Sequence, residues 1–316
     1  MIQTLAEALT LTDDGAGGLT ARLDGGFSNA PQAAPQERGA PFGGLMAALA
    51  AGAMRQGLGI ETPLQSLTIQ YLAAARFEDV VFTPTMTRGG RNVAYASVAG
   101  GQGDRFAIQA LGTYGRDVAG PVLTPLTASP PPVDTLEPTP LDPAFGPWFT
   151  RHIDHRFVAG PKLYGGSAGR TPELGCWMRT IDAAPLDEAR LLFLLDGLYP
   201  TYFTAFPAPP IISASVDLRA DLLTELTPDT SPEGWAWFHF TSRDVGGGWA
   251  VEDGVAWAPD GRPLALVRQR RKLLPSRPWL VPARQPRKIP SSPSPASVSD
   301  VGACLDERPP DPVFDN

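Results

Sequence analysis

Few residues in this chain combine a reactive side chain with a setting that suits catalysis, and Asp196 is the first of them. Its neighbours at helical spacing are Leu192, Phe193, Tyr199 and Pro200. Apolar surroundings of this kind partly desolvate a carboxylate, raise its pKa and make it a better base near neutrality. A solvent-facing helix acid is the competing reading. Gln269 shares strand parity with Ala265 and Val267 and is expected to face inward. Its amide offers donors and an acceptor without charge, although a buried glutamine that only bonds backbone fits as well. Ser215 alternates with Ser213, Asp217 and Arg219, opposite Ile212, Ala214, Val216 and Leu218. Period two therefore puts it on the polar face of its strand, either solvated or lining a site between two halves. Gly43 and Gly44 open an apolar helix, where they would either expose backbone amides or allow close helix packing.

Other chemistries have weaker footing. His152 and His155, three apart on an expected strand, fall on opposite faces, which is poor geometry for a metal pair. His239 is the remaining histidine of three. No metal and no cofactor are expected, and no histidine–acid pair of a dehydratase is evident. Cys176 and Cys304 are too far apart for a paired-cysteine motif, and a reducing compartment suits them better than a disulfide. Gly165-Gly166-Ser167-Ala168-Gly169 has the Gly-x-Ser-x-Gly form but lacks the strand before it and the helix after it that a nucleophile elbow requires. Gly100-Gly101-Gln102-Gly103 belongs to a hairpin turn, not a phosphate loop.

Composition narrows the partners. The formal net charge is -7 over 316 residues, and Arg268, Arg270, Arg271 and Lys272 form the only tight basic cluster. Nucleic acid and anionic membranes, which require concentrated basic surface, are not expected partners. Met1 to Gly18 lacks the pattern of a secretory leader, and the apolar run Gly43 to Met54 is too short to span a membrane. A soluble, cytoplasmic protein is expected.

The elements that would position these residues form two similar blocks. The first has a strand at Leu19 to Leu23, an Ala-rich helix over about Pro41 to Gln56, and strands at Leu67 to Leu72, Val80 to Thr87, Val93 to Val98 and Phe106 to Tyr114. The second has strands around His152 to Val158 and Cys176 to Ile181, a helix from Leu186 to Tyr199 with Asp187 and Glu188 at its start, and strands at Ile212 to Leu218, Trp235 to Thr241, Trp249 to Trp257 and Pro263 to Leu274. Each block reads as a helix followed by a four-strand antiparallel meander, an α+β arrangement occurring twice. Residues 1–119 and 148–274 make the two units. A Pro-rich linker covers 120–147, and a Pro/Ser-rich tail expected to be disordered covers 275–316.

Phe42-Gly43-Gly44-Leu45, Ser66 through Leu72, Gly89-Gly90-Arg91-Asn92-Val93, Leu194-Leu195-Asp196, Ala214-Ser215-Val216-Asp217, and Asp260-Gly261-Arg262 through Gln269 occur in this order. The series resembles the double-hotdog thioesterase-like family, in its acyl-CoA thioesterase II branch. The resemblance covers about Phe27 to Leu274. It implies a tandem hotdog, each half a long helix wrapped by an antiparallel sheet. It also implies an acyl-CoA substrate, a role in lipid metabolism and a homo-oligomer. In that family an aspartate, a threonine and a glutamine bind and activate the water that attacks the thioester. Here they fall on Asp196, Ser215 and Gln269, with serine keeping the hydroxyl. Amides near Gly43 and Gly44, at a helix N-terminus, would bind the oxyanion and so the substrate.

Superposing the blocks by pattern sets Thr68 opposite Ser215 and leaves the first helix without an acid, so one water-activating site per chain is expected. The alternative is a non-catalytic acyl-thioester-binding protein that keeps the fold. Convergence of Asp196, Ser215 and Gln269 on one point distinguishes the two.

Overall fold

The computed structural model describes residues 3–116, 120, 123, 125–158, 172–205 and 211–275. They fall in the compact unit Met1–Pro282; the unit Ala283–Asn316 lies outside them. So do the expected disordered tail beyond residue 275, Cys304 and the Gly165–Gly169 motif.

Helix α1 is a single turn, Leu5–Ala8, and α2 is Gly43–Leu58. The sequence of α2 is rich in Ala, Leu and Met and has no β-branched residue, which favours a helix. Ten of its sixteen residues are buried, so it is a core helix and not a surface one. It ends where Gly59 takes the left-handed conformation at φ 62°. Helix α3, Glu188–Leu194, starts at Asp187, whose side chain accepts from the Arg190 N–H. It stops earlier than the expected Tyr199. Asp196 thus sits in the turn beyond the helix, and its helical neighbours at three and four positions do not all apply. Gly197 and Pro200 end it, the first closing a tight turn onto the Leu194 carbonyl and the second having no N–H to donate.

Twelve strands form one antiparallel sheet: β1 (Thr12–Asp13), β2 (Leu19–Arg22), β3 (Leu64–Tyr71), β4 (Asp79–Arg88), β5 (Val93–Gln102), β6 (Arg105–Gly115), β7 (Ile153–Phe157), β8 (Glu173–Thr180), β9 (Ile211–Leu222), β10 (Ala236–Gly246), β11 (Trp249–Trp257) and β12 (Pro263–Pro275). Their order is β1-β2-β4-β5-β6-β3-β9-β12-β11-β10-β8-β7. This corrects the expected four-strand meanders. In each half only three strands run as a meander. The strand after the helix crosses to the far side, so β3 pairs with β6 and β9 pairs with β12. The halves then meet where β3 pairs with β9, with Thr68 opposite Arg219.

Three β-bulges recur at matching places. Gln65 is the extra residue between Leu64 and Ser66, as Val216 is between Ser215 and Asp217. Thr87 matches Arg243, and Ala107 matches Leu264. A bulge shifts every later side chain to the other face, so matched bulges fix the correspondence between halves residue by residue.

One apolar core joins α2, α3 and the inner face of both halves. On the second half a separate cluster of Trp177, Trp235, Trp237 and Trp257 is covered by Ala128, Val133 and Leu136. The Pro-rich stretch is therefore pinned down. Trp177 Nε1 donates to the Pro131 carbonyl at 2.9 Å, and Arg156 donates to the carbonyls of Val133 and Leu136. Among the described residues, no helix is long and apolar enough to cross a membrane.

Candidate active site

Asp196, Ser215 and Gln269 come together from three elements. The turn after α3 carries Asp196, whose side chain is 5% exposed. Gln269 projects inward from β12 beside Val267, as its parity indicated, and is buried. Ser215 also faces inward, against the period-two expectation. The bulge at Val216 is the reason. Asp217 and Arg219 keep outward parity, but the extra residue resets the alternation, and Ser215 pairs with inward-facing Arg271.

The Gln269 amide joins the other two. Its Nε2 donates to Asp196 Oδ1 at 2.7 Å and to Ser215 Oγ at 2.8 Å. Burial raises the Asp196 carboxyl above its usual range; the Arg271 charge and the bonds from Gln269 and Arg271 offset this only in part. Among the described residues, Asp196 Oδ2 accepts no hydrogen bond. It faces the first residue of α2, where a Cβ on Gly43 would lie 2.6 Å from it and 3.1 Å from the Tyr71 hydroxyl. No side chain caps the start of α2, so its first-turn N–H groups stay available at the positive end of the helix dipole. The two glycines differ. A Cβ on Gly44 would strike the Phe193 carbonyl and the Phe42 ring, so Gly44 answers to helix packing and Gly43 to the carboxylate.

Three site residues went unread in the sequence. Arg271 donates to Ser215 Oγ at 3.1 Å, to Gln269 Oε1 at 2.6 Å and to Asp196 Oδ1 at 3.2 Å. In sequence it belongs to the basic cluster with Arg268, Arg270 and Lys272, and strand alternation splits that cluster. Arg268 turns outward to Asp253 and Lys272 stacks over Trp249, whereas the parity of Ala265, Val267 and Gln269 carries Arg271 inward. Glu252 lies among Ala250, Gly254 and Ala256 on the inner face of β11 and accepts from Arg271 Nε at 3.0 Å. Tyr71, the next inward residue after Ile69, donates to the Gly43 carbonyl at 3.0 Å. Burial and the Asp196 charge hold its phenol well above the ordinary range, so it stays a donor.

Among the described residues, no histidine hydrogen-bonds to Asp196, Ser215, Gln269 or Arg271. His152 belongs to a turn, Trp148–His152, that precedes β7, so the expected opposite-face alternation does not apply. Both rings are buried: His152 stacks on Phe27, and His155 meets the Gly197 carbonyl with its pKa pushed down to about 4 by burial.

The bulges also correct the expected second site. Leu64, and not Thr68, stands opposite Ser215; Gly112 matches Gln269, Ala96 matches Glu252 and Tyr114 matches Arg271. Thr68 lies on the outer face between Arg219 and Leu111. Where the halves meet there, Arg55 of α2 pairs with Glu188 of α3 at 2.6 Å, and Glu188 also accepts from the Leu64 N–H. Arg55→Met is expected to cost about 1 kcal/mol of stability and to leave any turnover at Asp196 unchanged; chemical denaturation beside a hydrolysis assay checks both.

A single antiparallel sheet of this order, with a buried helix against its inner face, is a hotdog-class architecture. Two family profiles match the chain: the acyl-CoA thioesterase N-terminal domain over residues 30–115 and the C-terminal domain over residues 129–270. The chain belongs to this double-hotdog acyl-CoA thioesterase family. A conserved protein of unknown function with a hotdog fold from Alicyclobacillus acidocaldarius is similar at 20% identity and TM-score 0.76, covering 87% of this chain and 100% of that one. An acyl-CoA thioesterase II from Mycobacterium marinum is similar at 18% identity and TM-score 0.67, covering 87% of this chain and 98% of that one. These likenesses establish the hotdog fold. No curated protein matches the chain.

Proposed function

We propose that this chain hydrolyses acyl-CoA thioesters with a water activated by Asp196, and that it does so on two hotdog units in tandem, each with one helix against its sheet. The observation that carries the reaction is the Gln269 amide donating at once to Asp196 Oδ1 and Ser215 Oγ. The matched bulges support the tandem arrangement.

The hydrogen bonds assign the roles. Ser215 Oγ accepts from both Gln269 and Arg271, so its own proton is free to donate. A water between Ser215 and Asp196 would accept a hydrogen bond from the Ser215 hydroxyl on one lone pair and donate one to Oδ2. As its oxygen attacks the thioester carbon, Asp196 removes its proton. The carbonyl π pair moves to oxygen, and the amides of Gly43 and Gly44 meet the charge. Collapse re-forms the carbonyl and expels the CoA thiolate, which recovers the proton from Asp196. Free acid and CoA leave. No step needs a cofactor.

Association of copies belongs to the same reading; Tyr95, Phe106 and Leu111 are exposed and support it, and sedimentation tests it. A hydrolysis panel across acyl-CoA chain lengths, run with wild type and Asp196→Asn, tests the reaction. Turnover in the wild type alone is the expected result. Binding of acyl-CoA without turnover would favour the non-catalytic binder.

A further inference from the structure

The ion pair beside Asp196 is not something the strands require. In the first half the same strands and bulges are built with Leu64, Ala96, Gly112 and Tyr114 where the second half has Ser215, Glu252, Gln269 and Arg271. That half has no acid on its helix and no charge at these four places. A buried ion pair contributes little stability over apolar residues of similar size. Arg271 and Glu252 therefore go with the acid and not with the strand geometry.

Their contacts show what they do. The Arg271 guanidinium touches all three residues of the trio. From behind it is held by Glu252, whose other oxygen accepts from the Thr201 N–H at 2.6 Å and the Thr201 hydroxyl at 2.7 Å. Arg271 has no acceptor to offer. With its N–H on Gln269 Oε1, the amide has one orientation left, with Nε2 toward Asp196 and Ser215. Around the acid and its arginine, among the described residues, stand Glu252 from β11, Tyr71 from β3, Tyr202 from the turn Thr201–Ala205 and His155 from β7; α2 offers Gly43. Arg271 is the cation of this set at neutral pH, because burial keeps His155 uncharged.

We propose that Arg271, anchored by Glu252, is the positioning residue of the site: it locks the Gln269 amide, occupies Asp196 Oδ1 so that Oδ2 faces the substrate, and keeps the base ionised. The proposal rests on the hydrolase reading above. Its test is the pH profile, from 4.5 to 9, of wild type, Arg271→Met, Arg271→Lys, Asp196→Asn and the Asp196→Asn/Arg271→Met double variant, on the acyl-CoA that wild type turns over fastest.

Arg271→Met is expected to lose about a hundredfold in kcat with KM within about threefold, and its acid limb in kcat/KM moves to higher pH. Arg271→Lys restores the acid limb but not kcat, because an ammonium cannot hold the amide and the carboxylate together. In the Asp196→Asn background, removing Arg271 adds less than about twofold. A folded Arg271→Met with its acid limb unmoved, or losses that simply multiply in the double variant, would overturn the positioning role while leaving the hydrolase reading intact. Absence of wild-type turnover would overturn both. Should the Met variant not fold, Arg271→Gln, which keeps hydrogen-bond donors without the charge, is judged by the same limb.

Discussion

Asp196→Asn is expected to lower kcat about a thousandfold and to leave the protein folded. Asparagine keeps the shape and an acceptor for Gln269, so the packing around a residue only 7% exposed is preserved. It cannot take a proton from water. The stability side has a definite sign. Burial leads the causes that raise the Asp196 carboxyl in the folded chain, so the folded state binds that proton more tightly than the unfolded state does. Ionised aspartate therefore costs stability above its folded pKa, and the cost is relieved as pH falls through that value. The variant carries no such charge. Relative to wild type it is expected to be at its most stable at neutral and alkaline pH, with the gap closing as the solution is acidified. Thermal unfolding of both proteins from pH 4 to 8, beside turnover, checks the pair of effects. A large loss of turnover together with a loss of fold would assign Asp196 a structural role.

The same residue shows how far the sequence could be read. Its apolar setting was visible because Leu, Phe and Tyr flank it at helical spacing. Its place beyond the helix is signalled more weakly, by Gly197 and Pro200, which favour an early stop. The strands announced themselves through alternation and turn glycines, and β11 kept its expected limits. Which strand pairs with which was not available, because pattern alone does not say that β3 crosses to β6 and β9. Ser215 is the clearest case. Its direction depends on a single extra residue, Val216, and a bulge is fixed by register against the neighbouring strand, which no local pattern contains. The same lack of register misplaced Thr68. Arg271 and Glu252 differ, since simple parity with Ala265 and Ala250 places both inward. Both are legible by parity, against the general expectation that charged residues face water.

Gly43→Ala carries the second large effect, and it separates catalysis from folding. Alanine is the better helix former, and at the first turn of α2 nothing in the backbone forbids it. The added Cβ, however, would stand 2.6 Å from Asp196 Oδ2 and 3.1 Å from the Tyr71 hydroxyl. Carbon cannot remain that close to a carboxylate oxygen, so the oxygen left for water must move. A displacement near 1 Å at a reacting group costs on the order of a hundredfold, and the methyl also crowds the approach of a carbonyl to the amides of α2. Turnover is therefore expected to fall at least about a hundredfold with unfolding temperature unchanged or slightly raised. Gly44→Ala provides the contrast. Its Cβ meets the Phe193 backbone carbonyl, which yields only if α2 moves away from α3, and the Phe42 ring, which is packed against Phe149 and Phe193. That variant is expected to lose stability first and activity only as a consequence. Measuring kcat/KM and thermal unfolding for both distinguishes a glycine kept for the carboxylate from one kept for packing. Equal behaviour of the two would remove Gly43 from the site.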